Sequence, residues 1–236
     1  MPERPVLITG AGQRTGLHLA RRLIEDGQPV VVTYRRERPA LEELSALGVD
    51  CILADFTSTT GIFSFIEKLR GRVSGLRGII HNASTWSPDA SGAEGAAQFT
   101  ALFQVHMQAP YVINMACRDL LEAGEQAADI IHMTDFVVQR GSAKHAAYAA
   151  TKAGLDNLTR SFAAMFAPRI KVNAIAPALL AFNEGDDEEY REKARGKSAL
   201  GIVPGFDVAY QTVRYLMDNP YVTGATLPLD GGRGLR

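Results

Sequence analysis

The sequence predicts a doubly wound α/β fold, one parallel seven-stranded sheet with helices on both faces, built by residues 1–236 as a single domain. Three observations predict it. Short, near-continuous apolar runs recur along the chain, as strands buried on both faces require. Longer amphipathic segments separate them, which is the pattern of right-handed helical crossovers. No linker, low-complexity stretch or repeat divides the chain.

Val6-Leu7-Ile8 reads as the first buried strand, followed by a helix with Leu17, Ala20, Leu23 and Ile24 on its apolar face. Val30-Val31-Val32 makes the second strand, closed by Tyr34 and the pair Arg35-Arg36. Leu41, Leu44 and Leu47 give the next helix its face, and Cys51-Ile52-Leu53 is a short third strand. Ile62, Phe65, Ile66 and Leu69 form another helical stripe. Residues 76–81, 129–133, 170–175 and 225–229 read as strands four to seven. The most polar region, residues 183–197, reads as a solvated helix. Because it follows a strand's carboxyl end, a mobile flap over a substrate cleft is the alternative.

Composition removes several function classes. The 46% hydrophobic content supports a sizeable core, and a net charge of -1 gives no electrostatic footprint for nucleic acid. Cys51 and Cys117 lie far apart, so neither a disulfide framework nor a zinc site is expected. The five histidines show no metal-ligand spacing, and no metal is expected. No stretch approaches ~18 apolar residues, and the first residues lack the apolar core of a secretion signal. A cytoplasmic enzyme of small molecules, with no membrane or nucleic-acid partner, is the expectation.

The chemistry begins at the first turn. Strand one runs into Thr9-Gly10-Ala11-Gly12-Gln13-Arg14-Thr15-Gly16 and then a helix. Such glycines permit a tight turn and let backbone approach a pyrophosphate at a helix N-terminus. This places Gly10, Gln13, Arg14 and Gly16 at a dinucleotide in a Rossmann-type site. Strand two ends in Arg35-Arg36 with no acid until Glu37. Guanidinium groups suit a 2'-phosphate, so NADPH is the expected cofactor; the plain alternative for these arginines is surface solubility. Further on, Tyr148-Ala149-Ala150-Thr151-Lys152 sets a phenol and an ammonium one helical turn apart on one face. The ammonium, with the cationic nicotinamide of oxidised cofactor, is expected to lower the tyrosine pKa for acid–base work.

These pieces, with Ala54-Asp55-Phe56, His81-Asn82-Ala83-Ser84, Lys171-Val172-Asn173-Ala174-Ile175-Ala176-Pro177 and Leu229-Asp230-Gly231-Gly232, stand in the order of the short-chain dehydrogenases/reductases. The chain resembles that family along its whole length. The resemblance implies a seven-stranded Rossmann-type domain in a homotetramer. It also implies that Asp55 contacts the adenine, that Asn82, Ala83 and Pro177 lie along the cofactor, and that Lys152 holds the nicotinamide ribose.

The departures from the family pattern carry more information. Arg14 replaces the middle glycine of the turn, and Asp135 stands thirteen positions before the tyrosine, where the family places serine. That pair of changes is the pattern of the pteridine reductases. It implies NADPH-dependent reduction of a 7,8-dihydropterin. The longer runs HNASTW, IIHMTDFVVQRGSAKHAAYAATKAGLDN, AFNEGDDEEYR and PLDGGRGLR resemble those members of the family that take dihydromonapterin to its tetrahydro form, with weak dihydrofolate reduction. Tyr148, Lys152 and Asp135 would be catalytic. Ser84, Trp86, Asp135 and Tyr148 would bind substrate, Trp86 as the stacking surface that a flat heterocycle needs. A packing role for Trp86 and a loop-capping role for Asp135 are the competing readings. His106 falls where the family usually has Asn, which would make it a relay residue, and packing in the core or at an interface is at least as strong a reading. The competing function is carbonyl reduction of a ketone such as a 3-oxoacyl thioester, with a non-enzymatic NADPH sensor as a third reading.

Overall fold

The computed structural model describes residues 4–235. Strands β1 (Val6–Ile8), β2 (Val30–Tyr34), β3 (Asp50–Leu53), β4 (Gly78–His81), β5 (Ala128–Met133), β6 (Ile170–Pro177) and β7 (Thr226–Leu229) form one sheet in the order β3-β2-β1-β4-β5-β6-β7. Every neighbouring pair is parallel. Helices α1 (Arg14–Glu25), α2 (Pro39–Ala46), α3 (Thr59–Arg70), α4 (Gly92–Phe103), α5 (Ala109–Ala116), α6 (Arg118–Glu122), α7 (Ala146–Phe166), α8 (Glu188–Arg195) and α9 (Asp207–Asp218) connect the strands.

The strands read as unbroken apolar runs because both faces are covered. Leu7, Ile79, Ile130 and Val172 pack against Phe65, Phe162 and Phe166 on one side. Ile8, Val32, Ile80 and Ile131 pack against Leu19, Leu23, Val213 and Leu216 on the other. Two expected helix faces shift. Leu19, Ala20 and Leu23, with Gly16, form the buried stripe of α1, whereas Leu17 and Ile24 lie at its margin. α2 ends at Ala46, so Leu47 is its C-cap and stands 59% exposed instead of completing the face.

An ion triad locks the start of the central strands. Asp129 is 2% exposed and meets Arg77 at 2.5 Å and Lys171 at 2.9 Å. Lys171 also donates to the carbonyls of Leu216 and Asn219 at the end of α9. Removing one member of such a buried cluster leaves uncompensated charge. Asp129→Ala is therefore expected to cost about 3–5 kcal/mol in a urea titration, with the kinetics of the folded fraction unchanged. A loss under ~1 kcal/mol would show that the two cations find solvent.

The polar segment at 183–197 contains α8, which is solvated along most of its length. Asp187 caps it by accepting from the Tyr190 amide at 2.7 Å. Glu188 and Glu189 in the first turn and Lys193 and Arg195 in the last complement the helix dipole. Among the described residues, no helix is long and apolar enough to cross a membrane.

Candidate active site

Strand order reverses between β1 and β4, and their carboxyl ends diverge there to open a cleft. Its volume is about 370 Å³. The turn residues Gly10, Gly12, Gln13, Arg14 and Thr15 line one wall, and Asn82, Ala83, Ser84 and Thr85 line the other. Arg35 and Arg36 line its far end, joined by Arg38, which the sequence reading missed. Glu37, the first acid after β2, is engaged by the Tyr34 hydroxyl.

The turn is built by close backbone approach. Gly10 has φ +68°, and a Cβ there would sit 2.7 Å from the Ala83 Cα. A Cβ on Gly16 would meet the Asn82 amide nitrogen at 2.5 Å and the Gly10 carbonyl at 2.7 Å. Gly16 thus seats α1 against the strand ends and does not line the cleft. Asn82 bridges the carbonyls of Thr9 and Gly10 through its amide nitrogen at 3.1 and 3.0 Å.

Arg14 occupies a left-handed position at φ +52°, which disfavours any residue with a side chain. Its backbone belongs to the turn, but its guanidinium reaches across to Asn183 Oδ1 at 2.6 Å and the Ala181 carbonyl at 2.9 Å. The side chain ties the glycine turn to the segment after β6. Asp55 lies between the cleft residues Ala54 and Phe56, and its carboxylate accepts from Thr57 N and Oγ1 at 3.0 and 2.8 Å. Pro177 ends β6 at the sheet's carboxyl edge.

The catalytic candidates converge where α7 passes the end of β5. The Tyr148 hydroxyl donates to Asp135 Oδ2 at 3.0 Å. Asp135 Oδ1 accepts from the Val137 amide at 2.9 Å, so the carboxylate both caps a short 3₁₀ turn and faces the tyrosine. The capping reading and the catalytic one hold together. Lys152 is 3% exposed and donates to the Met133 carbonyl at 2.7 Å. Burial pulls its pKa down to about 8, with Asp135 pulling the other way.

The expected lowering of the Tyr148 pKa, which invoked the cationic nicotinamide of oxidised cofactor, is reversed by the protein's own groups. Burial pushes it well above the usual phenol value, the Asp135 charge and hydrogen bond push it further, and the nearby Ser84 hydroxyl pulls weakly the other way. Lys152 Nζ lies 5.8 Å from the ring centroid and directs one of its three N–H donors to the Met133 carbonyl. Tyr148 is therefore a neutral phenol at neutral pH, with its proton on the hydroxyl.

Trp86 lies on the loop leaving β4 and is 62% exposed, with its ring 4.8 Å from that of His145. Asp89 anchors this loop. Its carboxylate accepts from Ala146 N at 2.5 Å and Ala147 N at 3.1 Å, capping α7 just ahead of Tyr148. Nothing local in the sequence marks Asp89, because its partners are 57 and 58 residues away. Among the described residues, no cluster of His, Cys, Asp or Glu could hold a metal.

A cleft at the sheet reversal, a glycine turn and a Tyr-x-x-x-Lys pair at the end of β5 define a nucleotide-dependent oxidoreductase fold. A family model described as Enoyl-(Acyl carrier protein) reductase matches residues 10–233. The chain belongs to the short-chain dehydrogenase/reductase family. Within that family it is 51% identical to Dihydromonapterin reductase of Enterobacter sp. (strain 638), over 99% of this chain and 98% of that protein. It is 49% identical to Dihydromonapterin reductase of Escherichia coli (strain K12), over 98% of this chain and 97% of that one. Among solved structures, FolM Alternative dihydrofolate reductase 1 from Brucella canis, complexed with NADP, superposes with a TM-score of 0.89 at 29% identity. The match covers 99% of this chain and 94% of that one.

Proposed function

We propose that the chain is an NADPH-dependent oxidoreductase that reduces the C=N bond of a 7,8-dihydropterin, taking dihydromonapterin to tetrahydromonapterin and acting weakly on dihydrofolate. The observation that carries this reading is the 3.0 Å contact of Tyr148 with Asp135. Ketone reduction develops an alkoxide, which a carboxylate beside it repels. Reduction of a C=N bond leaves an amine nitrogen and asks only for a proton. The neutral Tyr148 phenol can supply that proton, and Asp135 holds the hydroxyl in place. Relatives named Dihydromonapterin reductase at about half identity support the same choice.

NADPH fits the cleft lined by the glycine turn and three arginines, and it supplies the hydride when bound. Gly10, Gln13 and Arg14 would follow its pyrophosphate, and Gly16 would set the helix N-terminus behind them. Arg35 and Arg36, with Arg38, would hold the 2'-phosphate. Asp55 would meet the adenine, Asn82 and Ala83 would floor the cleft, and Lys152 and Pro177 would flank the nicotinamide ribose. The double variant Arg35→Ala/Arg36→Ala is expected to raise the NADPH KM by roughly 10- to 100-fold, the scale of lost charge-assisted contacts. The NADH KM should stay nearly unchanged. Equal loss with both cofactors would remove these residues from the 2'-phosphate site.

Trp86 and Ser84 would bind the pterin, Trp86 as its stacking face. Trp86→Ala is expected to raise the dihydromonapterin KM about tenfold, as for ~1–2 kcal/mol of aromatic contact. Normal kinetics in this variant would assign Trp86 to packing on His145.

The exposed apolar side chains Phe99, Phe103, Tyr111, Met115 and Met165 lie on α4, α5 and α7, and this chain leaves them uncovered. They support burial against further copies in a homotetramer. A cytoplasmic location accords with the reduced cofactor. The direct test of the function is NADPH oxidation with dihydromonapterin, dihydrobiopterin, dihydrofolate and an acetoacetyl thioester. Turnover of the dihydropterins is expected. Asp135→Ser should impair that turnover more than NADPH affinity. Comparable or faster turnover of the thioester by the unaltered enzyme would reverse the assignment.

A further inference from the structure

Helix α4 continues into α5 through a widened π turn at Gln104–Gln108. Pro110 has no N–H to give the carbonyl one turn back, at His106, which loosens the helix at that point. His106 sits in the π turn, 1% exposed, with its ring edge-on to Tyr148 at 5.4 Å. Its hydrogen bonds fix where its proton lies. The Thr85 backbone amide points at Nε2 from 3.3 Å. A backbone amide only donates, so Nε2 carries no proton. The Ser84 hydroxyl, 2.9 Å from the same nitrogen, must then donate to it as well. The ring proton is left on Nδ1 and goes to Thr151 Oγ1 at 2.9 Å. Thr151 passes its own proton to the Tyr148 carbonyl, also at 2.9 Å. Burial keeps the imidazole neutral, pulling its pKa down to about 2, and the hydrogen bonds then decide which nitrogen holds the proton.

We infer that His106 is a positioning residue that commits the Ser84 hydroxyl proton and so makes Ser84 an acceptor for a substrate N–H. Ser84 lines the cleft within hydrogen-bonding reach of the Tyr148 hydroxyl, and with its proton directed to His106 it turns its lone pairs toward that space. A pterin edge carries N–H groups that such an acceptor can take. A ketone oxygen would meet lone pairs alone. His106 thereby selects for nitrogen heterocycles through Ser84, without touching substrate. The inference rests on the dihydropterin reading and adds the determinant of that preference.

The test has two arms. In the first, ¹⁵N NMR of histidine-labelled protein, with His106 assigned by its loss in His106→Gln, should show protonation at Nδ1 that does not change from pH 8 to pH 5. Protonation at Nε2, or titration in that range, overturns the inference whatever the substrate. The second arm measures dihydromonapterin kinetics. Ser84→Ala and His106→Phe should each raise KM about tenfold, the scale of one lost buried hydrogen bond, with kcat less affected. His106→Phe in the Ser84→Ala background should add nothing further. His106→Gln, whose side-chain oxygen can take the Ser84 proton, should restore most of the affinity. Should His106→Phe not fold, His106→Asn, too short to reach Ser84, replaces it in the comparison. Additive effects, or a His106→Gln no better than His106→Phe, overturn the role through Ser84. If the unaltered enzyme turns over no dihydropterin, the substrate reading fails, and the NMR arm alone decides the tautomer.

Discussion

Replacing Tyr148 by Phe is expected to lower dihydropterin turnover by about 10²–10⁴-fold while NADPH affinity survives, because only a proton donor is lost. The phenol is raised by burial and by Asp135, so it is fully protonated at neutral pH. Its removal frees Asp135 Oδ2, which keeps its second oxygen on the Val137 amide and stays in place. Lys152→Ala should instead damage both cofactor affinity and turnover. Its pKa near 8 adds a pH signature. Activity should fall as pH rises through about 8, when the buried ammonium is lost, and not through ionisation of the phenol. Undiminished turnover in Tyr148→Phe would leave Asp135 or water as the proton source.

The strands were legible because a parallel sheet covered on both faces writes each strand as an apolar run, and Val6-Leu7-Ile8 or Ile130-Ile131 has no other use. Helix faces were less legible. Leu47 fits the periodicity of α2, yet backbone bonds to Glu43 and Leu44 make it a cap and leave it exposed. The glycine turn and the Tyr148–Lys152 pair were legible because their chemistry fixes their spacing. The direction of the Tyr148 pKa was not, since it depends first on how deeply the phenol is buried and then on its facing Asp135, both of which tertiary packing decides. Asp129 had a signal that went unread. A carboxylate inside the apolar run of β5 demands buried partners, and Arg77 and Lys171 supply them. Asp89 and Arg38 had none, because their roles arise only when distant segments meet.

The buried histidines carry the second large prediction, a steep loss of stability in mild acid. His81, on β4, meets Asn114 Oδ1 through Nε2 at 2.7 Å. The Asn114 amide nitrogen in turn faces His132 Nε2 at 3.2 Å, and His132 Nδ1 reaches Thr159 Oγ1 at 2.8 Å. These bonds link β4 and β5 to α5 and α7 with Asn114 and His132 wholly buried, and His106 lies buried beside Tyr148. Burial lowers His81 to about 4, His106 to about 2 and His132 well below the ordinary value. In the unfolded chain each returns to about 6.5. Between those limits the unfolded state binds more protons, so the stabilisation is present above about pH 6.5 and is lost as pH falls. By pH 5 each histidine should have withdrawn about 2 kcal/mol, together roughly 6, a large share of the 5–15 kcal/mol typical of a folded domain. The Asp129 carboxyl, pushed up by burial, works the other way, but as one group against three. Urea titrations of the cofactor-free protein at pH 7 and pH 5 should show this loss. Equal unfolding free energies at the two pH values would mean that these rings gain protons without leaving the fold, and that the buried network tolerates charge.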